Sequence, residues 1–246
     1  MKKVLIIGAT SAIARSYAKI CAGEKATLYL VGRDTQKLEQ TANDLKALGA
    51  SAVYTGTLDV NNTNKHKEIL DDCFEKLKQV EVVLIAHGTL PDQTECQVST
   101  IKALEEFNNN GLSTIALLTD LSNRFEQQHF GSIAVITSVA GDRGRPSNYL
   151  YGSAKAAVST FCEGLRARMF KVGVHVLDIK PGFVDTPMTQ GLDLPKALLA
   201  TPDTIALYID KAISKKRNSI YAPWFWFYIM LIIKLIPQYV FKRLGL

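Results

Sequence analysis

Short runs of consecutive aliphatic residues alternate along the chain with longer stretches in which apolar residues recur every three or four positions. The runs at 4–7, 26–31, 52–55, 82–86, 133–137, 174–179 and 219–221 read as strands. Most are uninterrupted rather than alternating, the pattern of a parallel sheet covered on both faces. Helical spacing fills 12–22, 35–48, 63–78, 98–128, 150–171 and 203–215. Strand–helix alternation implies right-handed βαβ crossovers, so the expected architecture is a doubly wound α/β fold. Its sheet should have seven strands, mostly parallel, with helices on both faces. The stretch 182–201 is weakly periodic and holds Pro187 and Pro195. It reads as a loop with short helical pieces at the carboxyl edge of the sixth strand, where such sheets bind ligands. No linker-like segment or internal repeat interrupts the chain, which gives one domain over 1–221 and a tail over 222–246.

Composition adds three constraints. Of 246 residues, 47% are hydrophobic and 21% charged, enough apolar material for a folded core. The formal charge of +6 concentrates late, at Lys215, Lys216 and Arg217 and again at Lys242 and Arg243. These clusters flank the most apolar stretch, which suits a membrane surface better than nucleic acid; a solvated basic helix end is the plain alternative. Cys21, Cys73, Cys96 and Cys162 are scattered, without a CxxC pair, so reduced thiols of a cytoplasmic-type protein are expected rather than disulfides or a metal site. Lys2-Lys3 before 4–7 superficially resembles a signal peptide, but four apolar residues before Gly8 are short for one.

The turn after the first strand reads Gly8-Ala9-Thr10-Ser11-Ala12-Ile13-Ala14 and opens a helix. Small residues there let backbone N–H groups approach a pyrophosphate, and the helix N-terminus adds partial positive charge. Gly8, Thr10, Ser11, Ala12 and Ile13 are therefore candidate cofactor contacts, and the fold becomes Rossmann-type; with a single glycine, a plain tight turn is the competing reading. The second strand ends Val31-Gly32-Arg33-Asp34. An arginine at that position pairs with the 2′-phosphate of NADP, whereas an acid favours NAD. Arg33 comes first and Asp34 is placed to cap the next helix. NADP(H) is favoured, NAD(H) remains open, and a solvated Arg33 is the plain reading.

A second constellation lies at 138–155. Ser138 closes a strand, and Tyr151 and Lys155 stand at i, i+4 on one helix face. Ketone reduction needs an acid for the developing alkoxide. Tyrosine, with an ordinary pKa of about 10, exchanges protons poorly unless a neighbouring ammonium favours its phenolate. Ser138 can hold the same carbonyl oxygen.

The ordered set Gly8-x3-Ala12-x-Ala14, Asp59, Asn108, Ser138, Tyr151-x3-Lys155 and Pro181-Gly182 resembles the short-chain dehydrogenase/reductase family over about residues 1–215. The resemblance implies Tyr151 as general acid/base, Lys155 on the nicotinamide ribose, Ser138 orienting the carbonyl, and Asn108 anchoring a water. It also places Asp59 and Val60 near the adenine, Ala86 and Gly88 on the cofactor wall, and Pro181, Gly182, Val184 and Thr186 beside the nicotinamide. The chain departs from the family at two points: Ala12 and Ala14 replace glycines, and Ile85-Ala86-His87-Gly88 stands where Asn-Asn-Ala-Gly is usual. His87 reads as a wall or packing residue rather than a base.

From Ile220 to Ile233 fourteen residues carry no charge, among them Trp224, Phe225, Trp226, Phe227 and Tyr228. That is short of the roughly 20 residues that span a bilayer, and suits an interfacial helix or packing on the domain or a partner subunit. This aromatic tail, the run 142–148 and the loop after Gly182 resemble the bacterial decaprenylphosphoryl-2-ketoribose reductases. That likeness implies a lipid-linked keto-sugar as substrate, a flavin oxidase as partner, and a peripheral position on the inner face of the membrane. Arg143 and Arg145 would stand at the active-site mouth, as partners of a phosphate or as surface charges. A homo-oligomer is expected by analogy. Other readings stay open: a soluble reductase of a steroid, 3-oxoacyl or sugar carbonyl, or a dinucleotide-binding module without catalysis.

Overall fold

In the computed structural model, which describes residues 1–244, the apolar runs become β1 (Lys3–Ile7), β2 (Thr27–Gly32), β3 (Ala52–Thr57), β4 (Val82–Ile85), β5 (Ser132–Ile136), β6 (His175–Pro181) and β7 (Ser219–Ala222). The helices are α1 (Ala12–Gly23), α2 (Thr35–Ala47), α3 (His66–Leu77), α4 (Gln93–Cys96), α5 (Thr100–Phe107), α6 (Ser113–Gln128), α7 (Tyr149–Phe170), α8 (Pro202–Ser214), α9 (Trp226–Leu235) and α10 (Gln238–Phe241). The seven strands form one sheet in the order β3-β2-β1-β4-β5-β6-β7. Every pairing is parallel.

The uninterrupted strand runs follow from this. Val4 and Ile6 face a layer formed with Tyr17, Leu38 and Ile205 of α1, α2 and α8. Leu5 and Ile7 face the opposite layer, with Leu70, Leu117 and Val158 of α3, α6 and α7. Both sides of the pleat are dry, so no alternation survives. The chain leaves β1 toward β2 and β3, then returns to β4 on the other side of β1. That reversal opens a crevice at the carboxyl ends of β1 and β4.

Three local departures have physical causes. The expected continuous helix over 98–128 divides into α5 and α6 around a π-turn, Asn108–Leu112. There Asn110 turns its amide back onto the Glu106 carbonyl oxygen at 3.1 Å, competing with the backbone ladder. The helical turn α4 had no periodic signal because it is four residues long; Asp92 nucleates it by accepting from the Thr94 amide at 2.7 Å. Strand β6 continues to Pro181, past the end of its apolar run.

The tail forms α9 and α10. Trp226 and Met230 are buried against Val139, with Phe183 and Tyr221 beside them. Trp224, Tyr228, Ile232, Leu235 and Tyr239 are exposed. The last two residues of the expected tail, 245–246, lie outside the described residues. Among the described residues no helix is long and apolar enough to cross a membrane. All four cysteines are free and buried.

Candidate active site

A cavity of about 430 Å³ opens at the carboxyl edge of the sheet. Gly8, Thr10, Ser11, Ala12 and Ile13 form one end of it. Gly8 adopts φ +80°, and a Cβ there would come within 2.5 Å of the His87 backbone nitrogen. Only glycine lets the turn pass this close to the neighbouring strand end. Ser11 caps α1 by accepting from the Ala14 amide at 3.3 Å. The Ala12 and Ile13 amides, in the first turn, have no intrahelical acceptor. A dinucleotide's pyrophosphate fits such a cradle.

Arg33 also lines the cavity and is exposed. Asp34 instead caps α2, accepting from the Lys37 amide at 3.1 Å. Val60, Ala86, Gly88, Pro181, Gly182, Val184 and Thr186 line the same space. Asp59 does not: it is exposed, and its carboxylate accepts from the Asn61 amide at 3.0 Å. Its neighbours Leu58 and Val60 supply the wall instead.

Ser138, Tyr151 and Lys155 converge at the other end of the cavity. Tyr151 and Lys155 sit in the first two turns of α7, with the Lys155 Nζ 5.7 Å from the Tyr151 ring centroid. That amine donates to the Ile136 carbonyl oxygen at 3.4 Å. Ser138 accepts from the Ala140 amide at 3.1 Å, which leaves its own proton free to donate. Burial pushes the Tyr151 phenol up to about 12, against the opposing effect of its hydrogen bond with Ser138. Burial likewise pulls Lys155 down to about 8, against the favourable charge of Asp178. Desolvation sets this direction, and Ser138, not the Lys155 ammonium, is the neighbour that opposes it. The phenol is a held proton donor at neutral pH.

Asn108 is the second correction. Its side chain donates to Asn61 Oδ1 at 2.9 Å and does not line the cavity. Asn110 is the buried member of the run. Its Oδ1 accepts from the Thr89 amide at 2.9 Å, and its Nδ2 donates to Thr89 Oγ1 at 3.1 Å. A Cβ on Gly88 would meet Asn110 Oδ1 at 2.9 Å and Lys155 Nζ at 3.3 Å, so the two side chains face each other across that glycine. Three consecutive asparagines hid the register, and the π-turn shifted the inward face by two residues.

His87 is a wall residue, with its Nε2 3.1 Å from Ser113 Oγ and 3.0 Å from Thr114 Oγ1. Burial, then the Lys155 charge, pulls it down to about 3, so its ring is neutral. Arg143 does not face the cavity. Its guanidinium donates to the Ile233 and Ile236 carbonyl oxygens and to Gln238 Oε1, and stacks 3.7 Å from the Phe241 ring centroid. Arg145 does line the cavity, as do Asn148, Phe183, Met188 and Leu192. The last three belong to the apolar loop and were invisible to periodicity.

A family model described as short chain dehydrogenase matches residues 2–196. An uncharacterized oxidoreductase of Mycobacterium tuberculosis is 31% identical over 98% of this chain and 96% of its own length. A ketoacyl reductase of Nostoc is 29% identical over 89% of this chain and 77% of its own. Among solved structures, a short chain dehydrogenase/reductase family protein superposes with a TM-score of 0.78 at 25% identity, covering 90% of this chain and 95% of that one. A variant of actinorhodin polyketide ketoreductase with NADPH gives a TM-score of 0.80 at 18% identity, over 89% and 95%, a likeness of fold alone.

Proposed function

The chain belongs to the short-chain dehydrogenase family, and on that premise we propose that it reduces an apolar ketone to an alcohol at the expense of NADPH. The observation that carries this reading is the meeting of Ser138, Tyr151 and Lys155 in one cavity with the Gly8 turn. The name of one relative, the ketoacyl reductase of Nostoc, agrees with it.

A reduced dinucleotide, its pyrophosphate held by the Gly8–Ile13 turn, would supply the hydride for the carbonyl carbon. The protein's residues manage the oxygen. Ser138 donates a hydrogen bond to it and fixes its position. Tyr151 gives up its phenolic proton as the alkoxide develops. Lys155, largely protonated near neutrality, offsets the phenolate charge left behind and would hold the ribose of a bound dinucleotide. Asn110 replaces Asn108 as the buried amide next to Lys155, the position from which a proton relay would continue. Arg33, on the cavity wall, would pair with the 2′-phosphate of a bound NADP(H), which favours it over NAD(H).

The finer reading is a lipid-linked keto-sugar as substrate, as in the decaprenylphosphoryl-2-ketoribose reductases, with a flavin oxidase supplying it. In this proposal 1–221 is the catalytic domain and 222–246 a docking tail, peripheral on the inner face of the membrane. Trp224, Tyr228, Ile232 and Leu235 are exposed along one side, Lys234, Lys242 and Arg243 accompany them, and no acid occurs in 222–246. That combination suits an anionic bilayer surface. Ile232→Ser with Leu235→Ser should abolish sedimentation with phosphatidylglycerol vesicles. Unchanged sedimentation would remove the docking face, and self-association lost in its place would make it a homo-oligomer contact.

The purified chain should consume NADPH only when a ketone is supplied. Tight NADPH binding with no consumption across aliphatic, cyclic and sugar ketones would favour the non-catalytic module instead.

A further inference from the structure

The sheet face under α7 carries more charge than the proposed reaction uses. Lys155 of α7, Asp178 and Lys180 of β6, and Asp142 of the 3₁₀ turn Val139–Asp142 lie on that side. Lys155 and Asp178 are fully buried. Buried charges are normally paired. Lys180 is matched: its Nζ lies 2.8 Å from Asp142 Oδ1, and the Tyr221 hydroxyl donates to Asp142 Oδ2 at 2.5 Å. Asp178 stands farther from Lys180, at 3.8 Å, and its close donor is neutral, the Thr137 hydroxyl at 2.5 Å. Lys155 makes no salt bridge among the described residues, and the acceptor it reaches is the Ile136 carbonyl oxygen at 3.4 Å. One buried cation and one buried anion are left over.

Consecutive residues at the end of β5 join them. Ile136 accepts from Lys155 Nζ, and Thr137 donates to Asp178 Oδ1. Asp178 stands in register with Val135, on the face where Val158 and Cys162 of α7 pack. The Ser159 hydroxyl, one helical turn beyond Lys155, is beside the carboxylate. Asp178 itself does not line the cavity.

The other titratable groups nearby replace neither partner. Arg166 of α7 spends its guanidinium on the Val176 and Asn218 carbonyl oxygens, at 3.0 and 2.7 Å. Burial keeps Cys162 of α7, Tyr221 of β7 and Tyr151 protonated, and keeps His87, after β4, neutral. Burial also pushes the Asp178 carboxyl up, and the Thr137 hydroxyl, then Lys180, act against it.

We propose that Asp178 is a positioning residue for the reduction: its carboxylate, one strand away from Ile136, holds the Lys155 ammonium in place beside Tyr151. This rests on the reductase reading and adds to it a residue that acts only through Lys155. Without Asp178, Lys155 is a desolvated ammonium with no opposite charge, and such a group gives up its proton more readily.

The test is the pH dependence of single-turnover NADPH oxidation, with a ketone the wild-type chain reduces. Lys155 acts in its charged form, so the wild-type rate falls as pH rises through about 8. Asp178→Asn should move that fall down by about one pH unit, the lower end of the effect of one nearby opposite charge. The loss is then smallest near about pH 6 and approaches about tenfold near pH 9. Asp178→Glu should restore part of the shift. NADPH affinity at about pH 6, where Lys155 is charged in every variant, checks folding. If Asp178→Asn does not bind NADPH, Thr137→Val reads the same coupling: the isostere removes the donor that holds the carboxylate, and the fall should move the same way by less. A fall that stays in place in the variant that folds, including a rate lowered equally at every pH, overturns the proposal. A wild-type rate with no fall near about pH 8 overturns the assignment of Lys155 itself, and the proposal with it, so the two failures are distinguishable.

Discussion

Arg143→Met isolates the clamp that holds α9 against Val139 and Phe183. The substitution keeps the length of the stem and removes the guanidinium. Lost are hydrogen bonds from a charged donor to the carbonyl oxygens of Ile233 and Ile236, at the C-terminal end of α9. Hydrogen bonds to a charged group contribute about 1.5–3 kcal/mol. A cation at a helix C-terminus adds about 0.3–1 kcal/mol, and stacking on Phe241 roughly 0.5–2 kcal/mol. These terms overlap, since one guanidinium makes them all, so about 2–4 kcal/mol is the working figure. At about 1.4 kcal/mol per tenfold, the opening equilibrium of α9 rises by roughly 30- to 1000-fold. Hydrogen exchange should show that acceleration at the amides of α9, with those of β1, β4 and β5 unchanged. Trp226 should become accessible to a fluorescence quencher, whereas Trp224 is already 61% exposed. Wild-type exchange rates in α9 of the variant would refute the clamp.

Other consequences concern the cavity. Arg33→Ala should weaken NADPH by about ten- to a hundredfold and leave NADH nearly unchanged, as loss of a charge-assisted phosphate contact requires; equal effects on both cofactors would remove the NADP preference. Lys155 acts in its charged form and its pKa lies near 8, so reduction is fully supported below that pH and is lost as pH rises through it. Tyr151, pushed to about 12, remains protonated across that window and adds no limb; a rate profile flat through pH 8 would contradict the assignment. Asn110→Ala should lower turnover and cost roughly 1–3 kcal/mol of stability by orphaning the Thr89 amide, while Asn108→Ala should change either little; the reverse ranking would restore Asn108.

The sheet was legible because both of its faces are buried. A run such as Val4-Leu5-Ile6-Ile7, too short for a signal peptide, is buried on both faces, and Gly8 followed by small residues marks where β1 stops. Tyr151 and Lys155 were legible for a local reason too, since four residues on a helix fix a shared face. The residues that escaped depend on distant partners. Nothing near Arg143 and Arg145 in the sequence tells that one holds the end of α9 and the other faces the cavity. The run Asn108-Asn109-Asn110 offers three registers, and a π-turn chose among them. The direction of the Tyr151 shift needed the depth of the cavity, which no spacing carries. The tail's aromatic residues announced an interface, but its division into a covered face with Trp226 and Met230 and an open face with Trp224 and Ile232 emerged only on packing.

Single-turnover hydride transfer in Tyr151→Phe, followed at saturating NADPH with a ketone the wild-type chain reduces, bears most directly on the central claim. The phenyl ring keeps the packing and removes only the hydroxyl that carries the proton. The rate should fall by roughly 10²–10⁴-fold with NADPH affinity intact. Transfer at the wild-type rate would mean that the proton comes from elsewhere, and the assignment of this cavity's chemistry would be wrong.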